Sequence, residues 1–280
     1  MDESMKVQVV DAGKIWNNFH AHTWRCDHAE GDVADYAKRA LELGMTGLGI
    51  SEHAWIPGGG DLFYRMREAD VAGYVKACRE ADERFVDLQV LCGVECDYDP
   101  SDERALREYY LEELGIDYLV GSVHELKGRA DVLDCFANRH FGLKELRLYT
   151  DLYVKMLESR LFTFYAHPDL FGRPITIGED PKGWDENAAA AAREILEAAA
   201  ETKAVLEVNV SGVWKTRTKG YPEVIYPKRE FWEMAADYDI PVIVNTDAHS
   251  IDRLDAYVDF GLELVERCRL RRVELRRMVS

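Results

Sequence analysis

The 280-residue chain has no apolar run approaching the ~20 residues that a membrane-spanning helix needs. Its opening, Met1-Asp-Glu-Ser-Met5, has no basic region followed by an apolar stretch, so no secretory leader is expected and a cytoplasmic location is. Cysteines are few, 6 in all, and their spacing fits no disulfide framework. Free thiols in a reducing compartment are the expectation. Cations are scarce too: 35 Lys+Arg against 52 Asp+Glu leave a formal charge of −17. A surface that negative repels anionic lipid and nucleic-acid phosphate, so neither a membrane nor non-specific nucleic acid is an expected partner. A local cationic pocket is still compatible with it. Low-complexity stretches, Pro/Gly-rich linkers and fixed-period repeats are missing as well. With 47% hydrophobic residues the chain can bury a core, and it reads as one domain over residues 1–280.

What is present is an alternation. Short apolar, β-branched runs cover residues 14–22, 46–54, 88–98, 117–126, 162–170, 204–211 and 241–249. Helix-like stretches cover 33–43, 67–85, 101–114, 143–160, 186–201, 228–238 and 253–269. Asp32 is a fitting N-cap for the first helix and Gly44 a fitting stop. Strands too apolar for one-sided exposure, each followed by a helix, predict parallel strands covered by helices. Seven such units favour a (β/α) barrel. An open doubly wound sheet gives the same alternation, but ordinarily carries a phosphate loop, and neither Gly-x-Gly-x-x-Gly nor Gly-x4-Gly-Lys-Ser/Thr occurs.

The histidines are not scattered. Of 8, six end predicted strands: His20 and His22, His53, His124, His167 and His249. His28 lies a few residues past the first run, and only His140 stands apart. Two acids join them inside apolar runs, Glu95 in Cys92-Gly-Val-Glu95 and Asp247 two residues before His249, where an unpaired carboxylate would be costly. Barrel active sites lie at the C-terminal strand ends, so all nine are expected at one mouth. Strand alternation aims His20 with His22, and Asp247 with His249, in the same direction. Nine donors exceed the four of one zinc site and suit two or three divalent ions. Imidazole with carboxylate favours Zn, Mn or Fe. Glu95, Asp247 and His249 are the catalytic candidates. Cys26 has no cysteine neighbours in the sequence and reads as structural. Cys92 and Cys96, at the opposite parity to Glu95, should face the helices, and Trp24, Trp55 and Trp214 follow strands where they could wall a pocket.

In order along the chain, His20-Ala-His22-Thr23, Cys26-Asp-His28-Ala29, Gly49-Ile-Ser-Glu-His53-Ala54, Gly93-Val-Glu95, Gly121-Ser-Val-His124, Ala166-His167-Pro168, Glu207-Val-Asn209 and Asp247-Ala-His249-Ser250 resemble the polymerase and histidinol phosphatase (PHP) superfamily. Within it the set is similar to the monofunctional histidinol-phosphate phosphatases. The resemblance implies a distorted (β/α)7 TIM-like barrel with a trinuclear centre. By that analogy His20, His22, Glu95 and Asp247 hold one metal. Glu95 bridges to a second held by His124 and His167, and His28, His53 and His249 hold the third. Glu125 after His124 and the stretch 127–145 depart from the pattern.

A phosphomonoester hydrolase is thus expected, with metal-activated water as nucleophile and L-histidinol phosphate as the substrate that the resemblance implies. For the phosphate, Arg173 is the first candidate contact, with Lys215 and Arg217 in the loop after the sixth strand behind it. The alternatives are a nucleotide or sugar phosphatase, exonuclease-like activity, a metal-dependent amide hydrolase, and a metal-binding regulator without turnover.

Overall fold

The computed structural model describes residues 5–10, 16–60, 62–127, 132–135, 140–172, 176–177 and 184–277. In chain order the elements begin with β1 (Met5–Val9), α1 (Val33–Glu42), β2 (Gly47–His53), α2 (Glu68–Arg84), β3 (Gln89–Asp97) and α3 (Glu103–Leu106), which runs on as a π-helix over Arg107–Glu113. Then come β4 (Tyr118–Ser122), β5 (Glu125–Lys127), β6 (Val132–Asp134), β7 (His140–Phe141), α4 (Leu143–Ser159), β8 (Phe164–Tyr165) and β9 (Thr176–Ile177). The chain continues through α5 (Glu186–Thr202), β10 (Leu206–Asn209), α6 (Ser211–Lys219), α7 (Arg229–Ala235), β11 (Pro241–Asn245), α8 (Val258–Arg267) and β12 (Arg271–Arg277). Contacts divide it into two compact units, one of Met1–Val120, Asn245–Ala256 and Arg272–Ser280, the other of Gly121–Val244 and Tyr257–Arg271.

In the first unit β2 and β3 pair in parallel from Gly47↔Gln89 to His53↔Glu95. That register sets a histidine directly opposite a glutamate at the strand ends. α1 starts where its capping box dictates: Asp32 accepts from the helix N-terminus while Asp35 accepts the Asp32 N–H. Gly44 follows its last turn at φ +76°, a left-handed conformation that glycine adopts without strain. Beneath the strand ends lies Tyr118, fully buried, its hydroxyl donating to the Phe19 carbonyl at 2.8 Å. Its ring occupies the space that side chains at Gly49 and Gly93 would fill. Burial of one such ring is worth roughly 2–3 kcal/mol. At the opposite end, Arg277 of β12 hydrogen-bonds Asp117 at 2.7 Å and Asp82 at 2.5 Å. β12 also pairs antiparallel with β1.

In the second unit β8 and β10 pair in parallel at Leu206↔Tyr165. α4 buries Tyr149, Tyr153, Met156 and Leu157, and α5 buries Ala188, Ala192, Ile195 and Leu196, one face of each helix. Asp185 caps α5 by accepting the Asn187 and Ala188 N–H groups, and Trp232 of α7 is fully buried.

Six of the seven predicted strands and all seven predicted helices have counterparts. The run at 14–22 does not form a continuous strand. Within its described part it makes isolated parallel bridges, Asn18 to Leu48 and Ala21 to Ala248. The ladder is interrupted because side chains take backbone positions: the Phe19 N–H donates to Asn245 Oδ1 at 2.8 Å and the Thr246 N–H to Asn18 Oδ1 at 3.0 Å. The segment carrying Lys215 and Arg217 is helix α6 rather than a loop, and α8 starts at Val258, five residues later than periodicity suggests. Three pairings escaped the sequence pattern: β1 with β12, the β5–β6 hairpin, and β7 with β9.

Candidate metal centre

Seven of the nine expected donors belong to the first unit. His20, His22 and Glu95 are buried and form one group of ligand atoms within 4.8 Å of one another; His28, His53 and His249 form another. Two ligands about 2.0–2.1 Å from a tetrahedral zinc stand about 3.3–3.4 Å apart, which gives a geometric standard. Here His20 Nε2 is 3.4 Å and His22 Nε2 3.6 Å from Glu95 Oε2. His22 Nε2 is 3.2 Å and His20 Nε2 3.7 Å from Asp247 Oδ1. His53 Nδ1 reaches the same Glu95 oxygen at 3.1 Å, so one carboxylate faces both groups. Asp247 is placed by a left-handed backbone, φ +48°, a strained conformation of the kind found at functional sites.

The second group has a further signature. His28 Nδ1 lies 2.7 Å from the Cys26 carbonyl, and His249 Nδ1 lies 3.0 Å from the Asp247 carbonyl. A carbonyl only accepts, so each neutral ring carries its proton on Nδ1 and presents a bare Nε2. Those two Nε2 atoms face each other at 3.1 Å. Two lone pairs that close repel unless a cation lies between them, so the donor set fits a divalent metal. Charge agrees. Burial acts to lower the His22 pKa, yet Asp247 and Glu52 outweigh it and hold it above the usual histidine value. The site thus attracts positive charge. Burial lowers that of His28.

The remaining two donors form a pair in the second unit, His124 Nε2 and His167 Nε2 at 3.1 Å. His167 is also held at a positive φ, +31°. Its N–H donates to Glu207 Oε2 at 3.1 Å, an oxygen that Asn209 Nδ2 also reaches at 2.9 Å. From the other side the Tyr149 hydroxyl donates to the His167 carbonyl at 3.2 Å. The Glu207-Val-Asn209 motif is therefore a clamp on the backbone of His167.

Of the expected phosphate contacts, Lys215 is half-buried on α6 and its Nζ donates to the Tyr226 hydroxyl at 2.8 Å. The Tyr226 ring lies 6.4 Å from that of His167, so Lys215 belongs to the same neighbourhood. Arg217 is exposed in the last turn of α6, and Arg173 lies outside the described residues, as does most of 128–139. Cys26 donates its thiol to the Thr23 carbonyl at 3.3 Å, and burial pushes its pKa up, which keeps it a thiol. Cys92 meets Cys78 of α2, and all six cysteines are free and buried. Trp24 is exposed, Trp214 half-buried and Trp55 buried.

Sequence reasoning missed the part of Glu52, which is fully buried beside His22 and His53. Its only signal was an acid inside an apolar strand. Asp169 was missed too. It is fully buried, accepts the Lys228 N–H at 2.5 Å and Trp232 Nε1 at 3.2 Å, and burial raises its pKa to about 7. The folded state therefore binds a proton more tightly than the unfolded one, so stability falls as pH rises from about 4 to about 7. Chelator-treated Asp169→Asn protein is expected to show a smaller drop in urea midpoint between pH 5 and pH 7.5 than chelator-treated wild type. Equal drops would show that Asp169 titrates normally.

Parallel strands ending in an imidazole–carboxylate cluster define a metal-binding α/β protein of the TIM-like barrel type, in which catalysis belongs at the strand ends. The PHP domain matches residues 18–211, and the chain belongs to the PHP family. A Deinococcus radiodurans protein named "Probable histidinol-phosphatase" is 29% identical over 238 residues, covering 82% of this chain and 85% of its own. A Schizosaccharomyces pombe protein of the same name is 22% identical over 274 residues, covering 89% and 85%. Among solved structures, a Listeria monocytogenes protein proposed to be a histidinol phosphatase has a TM-score of 0.73 at 22% identity, covering 87% of this chain and 99% of that one. Histidinol phosphate phosphatase from Lactococcus lactis, complexed with zinc, L-histidinol and phosphate, has a TM-score of 0.69 at 14% identity, covering 92% and 95%. The fold is thus the α/β barrel that the sequence motifs imply. Among the described residues no helix is long and apolar enough to cross a membrane.

Proposed function

We propose that the chain is a metal-dependent phosphomonoester hydrolase that converts L-histidinol phosphate to L-histidinol and phosphate, with residues 1–280 as one catalytic domain. The single observation that carries the reading is the pair of bare Nε2 atoms, His28 and His249, facing each other at 3.1 Å beside a carboxylate-lined imidazole group. The named relatives supply the substrate. The ligands are His20, His22, His28, His53, Glu95, His124, His167, Asp247 and His249, for two or three ions of Zn, Mn or Fe. Bound there, such ions generate a nucleophile from water near neutral pH and neutralise phosphoryl charge.

The chain's own residues do the rest. Glu95 and Asp247 hold negative charge against the imidazoles and fix where the cations stand. His28 and His249, locked as Nδ1–H tautomers by main-chain carbonyls, keep Nε2 available. The Glu207 and Tyr149 clamp fixes His167. Lys215, and Arg173 and Arg217 with it, supply cations for the phosphate oxygens, guanidinium matching phosphate in a bidentate manner.

Phosphate release from a panel of phosphomonoesters, with metal fixed, tests the substrate. L-histidinol phosphate is expected to exceed nucleoside and sugar phosphates in kcat/KM by at least about 10²-fold, which corresponds to about 2.7 kcal/mol of discrimination. A nucleotide as the best substrate would replace the named one with the exonuclease-like or nucleotidase alternative.

A further inference from the structure

Glu52 has no place in the ligand set, yet it is fully buried and anchored from three directions. Its Oε2 accepts the Thr23 N–H at 2.8 Å and the Thr23 hydroxyl at 2.6 Å. Oε1 accepts the His53 N–H at 2.9 Å and stands 3.5 Å from His22 Nδ1. A buried carboxylate held this firmly is expensive unless its charge is used.

The far side of the carboxylate is also organised. The Thr23 hydroxyl, having given its proton to Glu52, accepts from Arg25 Nη1 at 3.2 Å, and Arg25 forks onto Asp32, the N-cap of α1, at 2.6 and 3.3 Å. Arg25 is itself buried. A chain of charge-assisted hydrogen bonds thus runs from a helix start to Glu52, whose Oε1 stands 3.5 Å from the His22 imidazole.

Resting on the metal-hydrolase reading above, we propose that Glu52 is a positioning residue that fixes the tautomer of His22: the proton stays on Nδ1, toward the carboxylate, and Nε2 is left as the metal donor. An ionised carboxylate offers only lone pairs, so it favours the ring form that turns N–H toward it. His22 has its other nitrogen, Nε2, directed at Asp247 and Glu95, at 3.2 and 3.6 Å, where a cation would be held. His28 and His249 obtain the same tautomer from main-chain carbonyls. His22 obtains it from a side chain. Partners of this kind fix ring orientation and raise ligand basicity, and their loss weakens metal binding about 10–100-fold.

Glutamine at position 52 keeps the size and one acceptor but brings an amide N–H₂. Turned toward His22, that donor selects the reversed tautomer, with the proton on the ligating nitrogen. Two readouts separate this from a packing role. First, nitrogen-15 NMR of metal-free wild type, at a pH above the His22 transition so that the ring is neutral and with His22 assigned by its loss in His22→Asn, is expected to show Nδ1–H. Second, Glu52→Gln, folded by circular dichroism, is expected to bind zinc about 10–100-fold more weakly in competition with a chromophoric chelator. An Nε2–H tautomer in wild type, or wild-type zinc affinity in folded Glu52→Gln, overturns the proposal while leaving the hydrolase reading intact. Failure of wild type to bind zinc at all overturns both. The wild-type NMR result stands even if the variant does not fold.

Discussion

Exchange of Glu95 for glutamine is expected to remove bound metal and phosphate release together, the rate falling on the order of 10³-fold. The reason is where the carboxylate stands. One Glu95 oxygen lies 3.4 Å from His20, 3.6 Å from His22 and 3.1 Å from His53, so it addresses both ligand groups of the first unit. A neutral amide offers one weak acceptor there and a donor that opposes a cation. The backbone need not change, because Glu95 lies within β3 and its strand pairing with His53 is made by main chain. Elemental analysis and initial rates on the same preparation check this. His53→Ala is expected to lower both quantities too, and wild-type rates in either variant would contradict the ligand assignment.

The second large effect concerns the platform under that carboxylate. Gly93→Ala is expected to destabilise the protein by about 3 kcal/mol, at the upper end of ordinary overpacking. A Cβ at Gly93 would lie 2.5–2.6 Å from carbons of the Tyr118 ring. The ring cannot step aside cheaply, since it is fully buried and tied to the Phe19 carbonyl, next to His20. Gly49, in the neighbouring strand, is confined by the same ring and by Phe19 Cα at 2.9 Å. Urea unfolding of the metal-free protein measures the change, and a loss below about 0.5 kcal/mol would show that the platform yields.

These glycines illustrate what sequence can and cannot tell. Gly49 and Gly93 appear in the primary structure as fixed companions of His53 and Glu95, but their reason is a tyrosine from a third strand, more than twenty residues away. The donors themselves were legible because their pattern is local: a histidine or acid closing an apolar run marks a strand end, and parity gives its direction. In the first unit His53 and Glu95 stand opposite each other where the β2–β3 ladder ends, whereas His20, His22, Asp247 and His249 lie outside continuous strands and Asp247 is left-handed, so parity does not set their direction. Glu52 has the opposite parity to its neighbour His53, and parity alone assigned it no task. Only the fold shows that His22 stands against its carboxylate. The run at 14–22 has the composition of a strand, but Asn18 and Asn245 divert its ladder bonds onto side chains, an exchange that no periodicity encodes. The β1–β12 pair joins residues near opposite ends of the chain, and nothing within either segment names its partner.

If imidazoles and carboxylates far apart in the chain hold catalytic cations, metal and turnover must rise and fall together. Metal per chain in wild-type protein is to be counted before chelation, after it and after readdition, with phosphate release from L-histidinol phosphate followed on each sample. Two or three equivalents of transition metal are expected, with activity lost when they are removed and regained when they return. Full hydrolysis by metal-stripped protein, or a native chain that carries no such ion, would contradict the ligand assignment.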